Sequence, residues 1–291
     1  VKSSGTLTMS QTNLALSGNS KLTSDDNLSF VNLNLNDFTL TLGSPTSDLT
    51  VQNAITIDTS TEGISTGEAD LILNSALTMN YGLLDSTGGT WELNGDFNKS
   101  SGTISITGTD LTLTSSITLT SDDVLSFATL NLNTFTLTLG NSTSDLTLEE
   151  AITIDSSGEG ISTGEADLKL SAFQNISIGS VTSTGGTISL LSGGQLSGTG
   201  ELDVSGSTWV LGGDFVKDNG TLTSSGTLTI SQTNLALSGN STLTSDEALS
   251  FVTLNLNDFK LTLGSSTSDL TVENAITIDA SGEGILTGEA D

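Results

Sequence analysis

Carboxylates are the groups with which this chain could do most chemistry, and they recur at matching places. Asp25-Asp26, Asp122-Asp123 and Asp246-Glu247 open a shared block of sequence; Asp58, Asp155 and Asp279 lie within it; Glu68 and Asp70, Glu165 and Asp167, and Glu289 and Asp291 close it. Paired acid oxygens on a turn are ligands for Ca²⁺, which takes about 6–8 of them. The calcium candidates are therefore Asp25, Asp26, Asp122, Asp123, Asp246 and Glu247. No EF-hand loop and no glycine-rich calcium-roll repeat accompanies them. The competing reading is structural: solvated turn acids that satisfy turn amides.

Other chemistries are less well served. T-x-T pairs occur at Thr6/Thr8, Thr39/Thr41, Thr112/Thr114, Thr118/Thr120, Thr136/Thr138 and Thr227/Thr229. Stacked Thr ladders on a flat β face could order water and bind ice, but Thr is also the favoured polar residue on an outward strand face. Two carboxylates alone can cleave a glycosidic bond. Here no acid cluster stands apart from the repeats, and His and Arg are both missing, which removes nucleophile–histidine chemistry and the usual lyase partner for an acidic sugar. The expectation is that the chain is not an enzyme and carries no cofactor beyond a calcium ion. Trp91 and Trp209 occupy equivalent places in TWELNGDF and TWVLGGDF. They suit core packing better than a sugar platform. The N-x-S/T sequons at Asn27, Asn98, Asn141, Asn175 and Asn240 are expected by chance in a chain this rich in Asn, Ser and Thr.

These residues sit on a repeat. Block 25–70 returns without a gap at 122–167 and at 246–291. Counting from the GTL or GTI that opens each copy, Gly102 stands 97 residues after Gly5 and Gly226 stands 124 after Gly102. The difference of 27 residues enters as a 21-residue piece after STGGT and a second, six-residue piece, LTSSGT, at 222–227. Together they match one coil of a β-solenoid, an architecture in which each coil touches only its neighbours and a whole coil is easily added. The 97-residue unit divides into four blocks at 5–27, 28–53, 54–75 and 76–101.

The strand pattern agrees. Apolar and polar residues alternate in TLTMS, FTLTLG, AITID and DLILN, and no stretch carries a 3.6-residue period. Between Leu28 and Gly43 the parity flips twice: Leu28 and Phe30, then Leu33 and Leu35, then Phe38, Leu40 and Leu42. One straight strand would turn apolar side chains outward at each flip. Three short strands with bends at Val31-Asn32 and Asn36-Asp37 keep all of them inside. The expected fold is all-β, a parallel β-helix (β-solenoid) of about twelve coils of roughly 20–27 residues, an elongated rod of roughly 55–60 Å. Residues 1–291 read as one continuous segment of a longer chain, with repeats at 5–101, 102–225 and 226–291, the last of them truncated.

Composition narrows the partners. With 34 acidic against 6 basic residues the net charge is −28. No basic surface is available to replace counterions on nucleic acid or to meet an anionic membrane. No apolar run approaches the ~18 residues of a membrane span. The chain has no cysteine.

The short T-L-T and L-N-L strands, the glycine-rich corners, the acidic exterior and the missing cysteine resemble bacterial surface β-solenoids of the filamentous-haemagglutinin and autotransporter-passenger type. That resemblance implies an exported, cell-surface or extracellular bacterial protein, a structural segment of a fibre or giant adhesin stalk. Its partners would be further repeats or copies of itself, end to end, and other cell surfaces or polysaccharide. The alternatives are a binding module (for cells or sugar, for a calcium-bridged contact, or for ice) and, behind these, a polysaccharide-active enzyme.

Overall fold

The computed structural model describes residues 12–197, 199–217, 227–230, 232–245, 248–265 and 267–288. It is an all-β parallel solenoid of about twelve turns, with no helix among the described residues. Two compact units divide the chain, residues 1–137 and 138–291.

In the first unit every third strand stacks on the last. One face comprises Ser20–Leu22, Thr39–Leu42, Gly63–Gly67, Leu83–Ser86 and Thr103–Ile106. A second comprises Leu28–Phe30, Leu49–Val51, Leu71–Leu73, Thr90–Leu93, Asp110–Leu113 and Leu130–Asn131. A third comprises Ile55–Ile57, Leu77–Met79, Phe97–Lys99 and Ile117–Thr120. Below it lies the pair Asn13–Ala15 and Asn32–Asn34, tied upward where the Asn53 amide donates to Asn32 Oδ1 at 2.8 Å. All these pairings are parallel. A turn takes 19–24 residues: Leu111 sits below Leu130, Leu49 below Leu71 and Leu40 below Ile64.

The period-2 pattern places Leu, Ile and Val inward on all three faces. Leu40, Ile64 and Leu84 are fully buried on the first; Leu49, Leu71, Trp91 and Leu111 on the second. Each such side chain contributes at most about 1.5–3 kcal/mol. The bends inferred from the parity flips are present. A bend at Val31 separates Leu28–Phe30 from Asn32–Asn34, and Asn36 and Asp37 form the next corner with φ of 49° and 69°.

Two consecutive non-glycine residues with positive φ cost about 1–3 kcal/mol each. Side chains offset the cost. The Asn36 N–H donates to Asn34 Oδ1, Phe38 N–H closes the turn onto the Leu35 carbonyl, and the Asn36 amide donates to the Leu16 carbonyl one turn below at 2.8 Å. The same corner recurs at Asn133-Thr134 and Asn257-Asp258. At the STGGT corner the second glycine is obligatory. Gly89 has φ of 67°, and a Cβ there would stand 2.7 Å from the Ala69 carbonyl oxygen.

The second unit is built the same way. Its faces run through Leu146–Leu148, Leu168–Leu170, Thr187–Leu190, Thr208–Leu211 and Asn234–Leu237; through 174–176, Gly194–Leu196, Phe215–Lys217, Ser241–Thr244, Lys260–Leu263 and Gly284–Leu286; and through 160–164, 180–183, Glu201–Asp203 and Thr227–Thr229. Turns again take 19–24 residues, apart from the wider turn that carries LTSSGT, where Trp209 and Leu235 are partners.

The repeat does not match a whole number of turns. In the first unit, Leu22 stacks below Leu42 on the first face, but its counterpart 97 residues on, Leu119, stacks above Phe97 on the third. Leu14 stacks below Leu33, under the third face, whereas Leu111 lies on the second, above Trp91. Fourteen strands, from Leu28–Phe30 through Ile117–Thr120, make up one repeat. Spread over three faces they give four and two-thirds turns, where the sequence blocks suggested four. In the second unit Thr153 partners Asn175, but its counterpart Thr277 partners Asn255 on another face. That repeat also advances by one face, because its insertion is a full turn.

Candidate functional site

Many of the acids are structural acceptors, and one pair of them meets a buried cation. In Phe97–Lys99 the alternation sends Phe97 inward, Asn98 outward and Lys99 inward. Register puts Lys99 where Met79 lies one turn below. Its side chain is wholly buried. The ammonium reaches up one turn and meets both carboxylates of the Asp122-Asp123 pair, with Nζ 2.7 Å from Asp123 Oδ2 and hydrogen-bonded to Asp122 Oδ1. The pair is presented by a short turn in which the Asp123 N–H donates to Ser121 Oγ. Burial alone would push the Lys99 ammonium down. The hydrogen bonds and charges of Asp122 and Asp123 outweigh it and hold the group above its ordinary value.

Aromatic packing encloses the strand. Trp91 is buried, 6.0 Å from Phe97 and 5.5 Å, edge on, from Phe127. The second unit rebuilds this cluster with Trp209, Phe215 and Phe251, and Lys217 is buried at the place equivalent to Lys99. Both tryptophans are thus core residues, as their sequence context suggested.

This lysine was missed in the sequence, although a signal for it exists. Lys2, Lys99 and Lys217 open VKSSGT, NKSSGT and VKDNGT from the second position, and each precedes an acid pair: Asp25-Asp26 and Asp122-Asp123 by 23 residues, Asp246-Glu247 by 29. Three of the six basic residues stand in this sequence context. A 23-residue separation is one turn and a corner, which is legible only once the turn length is known.

Several other acids are acceptors for backbone N–H groups. Asp70 takes the Thr90 N–H at 2.7 Å, Asp48 that of Asp70, Asp96 that of Thr118, Asp167 that of Thr187 and Asp214 that of Thr242, each one turn on. Glu62, largely buried, collects the N–H groups of Asp58 and Thr59 in its own turn and of Asp37 in the turn below. Glu283 repeats the arrangement with Asp279, Ala280 and Asp258, and Glu159 takes the N–H groups of Asp155 and Ser156 in its own turn. Around Glu283 the carboxyl oxygens of Asp258, Asp279 and Glu283 come within 4.8 Å of one another. Hydrogen bonds from the backbone of Asp258, then of Ala280 and Asp279, hold the Glu283 carboxyl below its usual range, while burial opposes them weakly.

Of the six calcium candidates, Asp122 and Asp123 face Lys99, and Asp26 uses its N–H on Ser24 Oγ as Asp123 does on Ser121. Asp25 lies on the same exposed turn. Asp246 and Glu247 lie outside the described residues, as do Glu289, Asp291 and the Thr6/Thr8 pair. The T-x-T pairs do not form a continuous ladder on the first face: Thr39 is followed one turn up by Gly63 and Leu83, and Thr41 by Ser65 and Asp85. No helix among the described residues is long and apolar enough to cross a membrane. No protein-family model, no curated protein and no solved structure matches this chain.

Proposed function

We propose that the chain is a structural segment of an extracellular bacterial fibre or surface adhesin stalk, a rigid spacer whose product is length and resistance rather than chemistry. The observation that carries this reading is the use of its acids. A number of carboxylates that could bind or catalyse instead accept hydrogen bonds from the neighbouring coil. A stacked core with parallel backbone pairing leaves its unpaired strand edges only at the ends of a stack. The acidic coat keeps neighbouring stacks apart and soluble. Self-association through further repeats is the partner relation that fits such a stack. The resemblance of its strands and corners to bacterial surface solenoids points the same way.

Fibre diffraction and negative-stain microscopy of the purified protein test the proposal together. The expected result is filaments or rods of constant cross-section with a meridional reflection near ~4.8 Å. Compact particles, or specific depolymerisation of a polysaccharide by the purified chain, would replace the spacer reading.

A further inference from the structure

Lys99 and its acid pair have the parts of a self-forming amide crosslink. We propose that the Lys99 ammonium condenses with the Asp122 carboxylate to form an intramolecular isopeptide bond between successive turns, with Asp123 relaying the protons.

Four observations carry this. Lys99 is fully buried, and its Nζ contacts two adjacent carboxylates rather than one. The strand that holds it is fixed by aromatic packing of Trp91 on Phe97 and Phe127. Asp122 and Asp123 are partly exposed, so a released water has an exit. The lysine and acid pair are also repeated within the chain: the first acid is Asp each time (Asp25, Asp122, Asp246), while the second is Asp26, Asp123 or Glu247. An invariant first acid with an interchangeable second one suits an acyl group beside a proton relay. A simple ion pair makes no such distinction between them.

The step balances without an outside reactant. The ammonium passes a proton through Asp123 to the Asp122 carboxylate, and the freed amine attacks Cγ of Asp122. The C–N bond forms, one C–O bond breaks, and that oxygen leaves as water with two protons from the former ammonium. Amine and carboxyl held in contact reach effective concentrations of about 10⁵–10⁸ M. Condensation also replaces a half-buried charge pair by a neutral amide, which removes the cost of desolvating those charges. The bond would close a loop from 99 to 122 in a chain that has no cysteine to do so.

Intact mass spectrometry of the full chain, unfolded in denaturant, tests this directly. The expected mass is lower than the sequence mass by one water for each bond formed. A peptide containing Lys99 should be recovered joined to one containing Asp122. Lys99→Met should abolish the branched peptide, and Asp123→Asn, which keeps the shape but not the relay, should leave most chains unjoined at this site. An unshifted wild-type mass overturns the proposal. So does a water deficit that maps elsewhere, as an aspartyl succinimide would, or that survives in Lys99→Met. If the variants fail to fold, the wild-type peptide map decides alone.

Discussion

The Lys99 site and the Glu62 corner handle charge in opposite ways. At the corner, one carboxylate gathers three backbone N–H groups near the surface, two from its own turn and one from the turn below. At the lysine, two carboxylates at the solvent edge converge on one buried ammonium. The corner needs its acid, because backbone donors have no substitute partner there. The lysine site needs its acids only because the lysine is there, and Met79 fills the same inward position one turn below without any charge. An acid-rich solenoid is thus held together partly by backbone capping, which any copy must keep, and partly by a charge lock, which a copy could in principle exchange for packing.

Substitutions separate the two. The largest effect is expected from Asp122→Ala with Asp123→Ala, which leaves a buried cation without its partners. A loss of about 3–5 kcal/mol should appear in urea unfolding, with amide exchange speeding up around 97–99 and 119–127. Lys99→Met should bring this close to neutral if the site is only an ion pair. A loss as large as that of the double variant would mean that the lock contributes more than charge pairing. Glu62→Ala should cost about 2 kcal/mol by freeing the N–H groups of Asp37, Asp58 and Thr59, and a hydrophobic replacement such as Glu62→Leu should not recover it. If Leu does recover it, the corner is not held by capping. Asn36→Ala should cost about 1–2 kcal/mol, since it removes the bond to the Leu16 carbonyl and keeps the positive φ, whereas Asn36→Gly should cost less.

The smallest expected effects are those of pH, and they differ in sign between the two kinds of site. As an ammonium, before any bond to Asp122 forms, Lys99 is held above its ordinary value, so its contribution is complete below the usual lysine pKa of about 10.4 and is lost as pH climbs through the raised folded value. Glu283 is held below the carboxylate range, so its contribution is present above that range and is lost as pH falls through the lowered value. Protection of the Asp258, Asp279 and Ala280 amides, relative to their intrinsic exchange rates, should fall only in acid, and that around an unjoined Lys99 only in alkali.

The sequence carried the fold further than the site. Parity flips at Leu33 and Phe38 located the bend at Val31 and the corner at Asn36-Asp37, because a strand's period of two leaves no other way to bury both apolar sets. The total of about twelve turns was legible, but the number of turns per repeat was not. Leu28–Phe30 and Asn32–Asn34 lie on different faces with only Val31 between them, and no glycine or proline marks that corner. The lysine was hidden for a related reason. Lys99 alternates with Phe97 as an apolar residue would, and lysine at such a position reads as surface until the turn above supplies its acids.

The repeat of four and two-thirds turns has a consequence for display. Within each unit, a group that the repeat copies returns on a neighbouring face and not above its original. Identical side chains a repeat apart therefore do not stack into a single ladder, and a faithful copy multiplies the faces on which a group is shown.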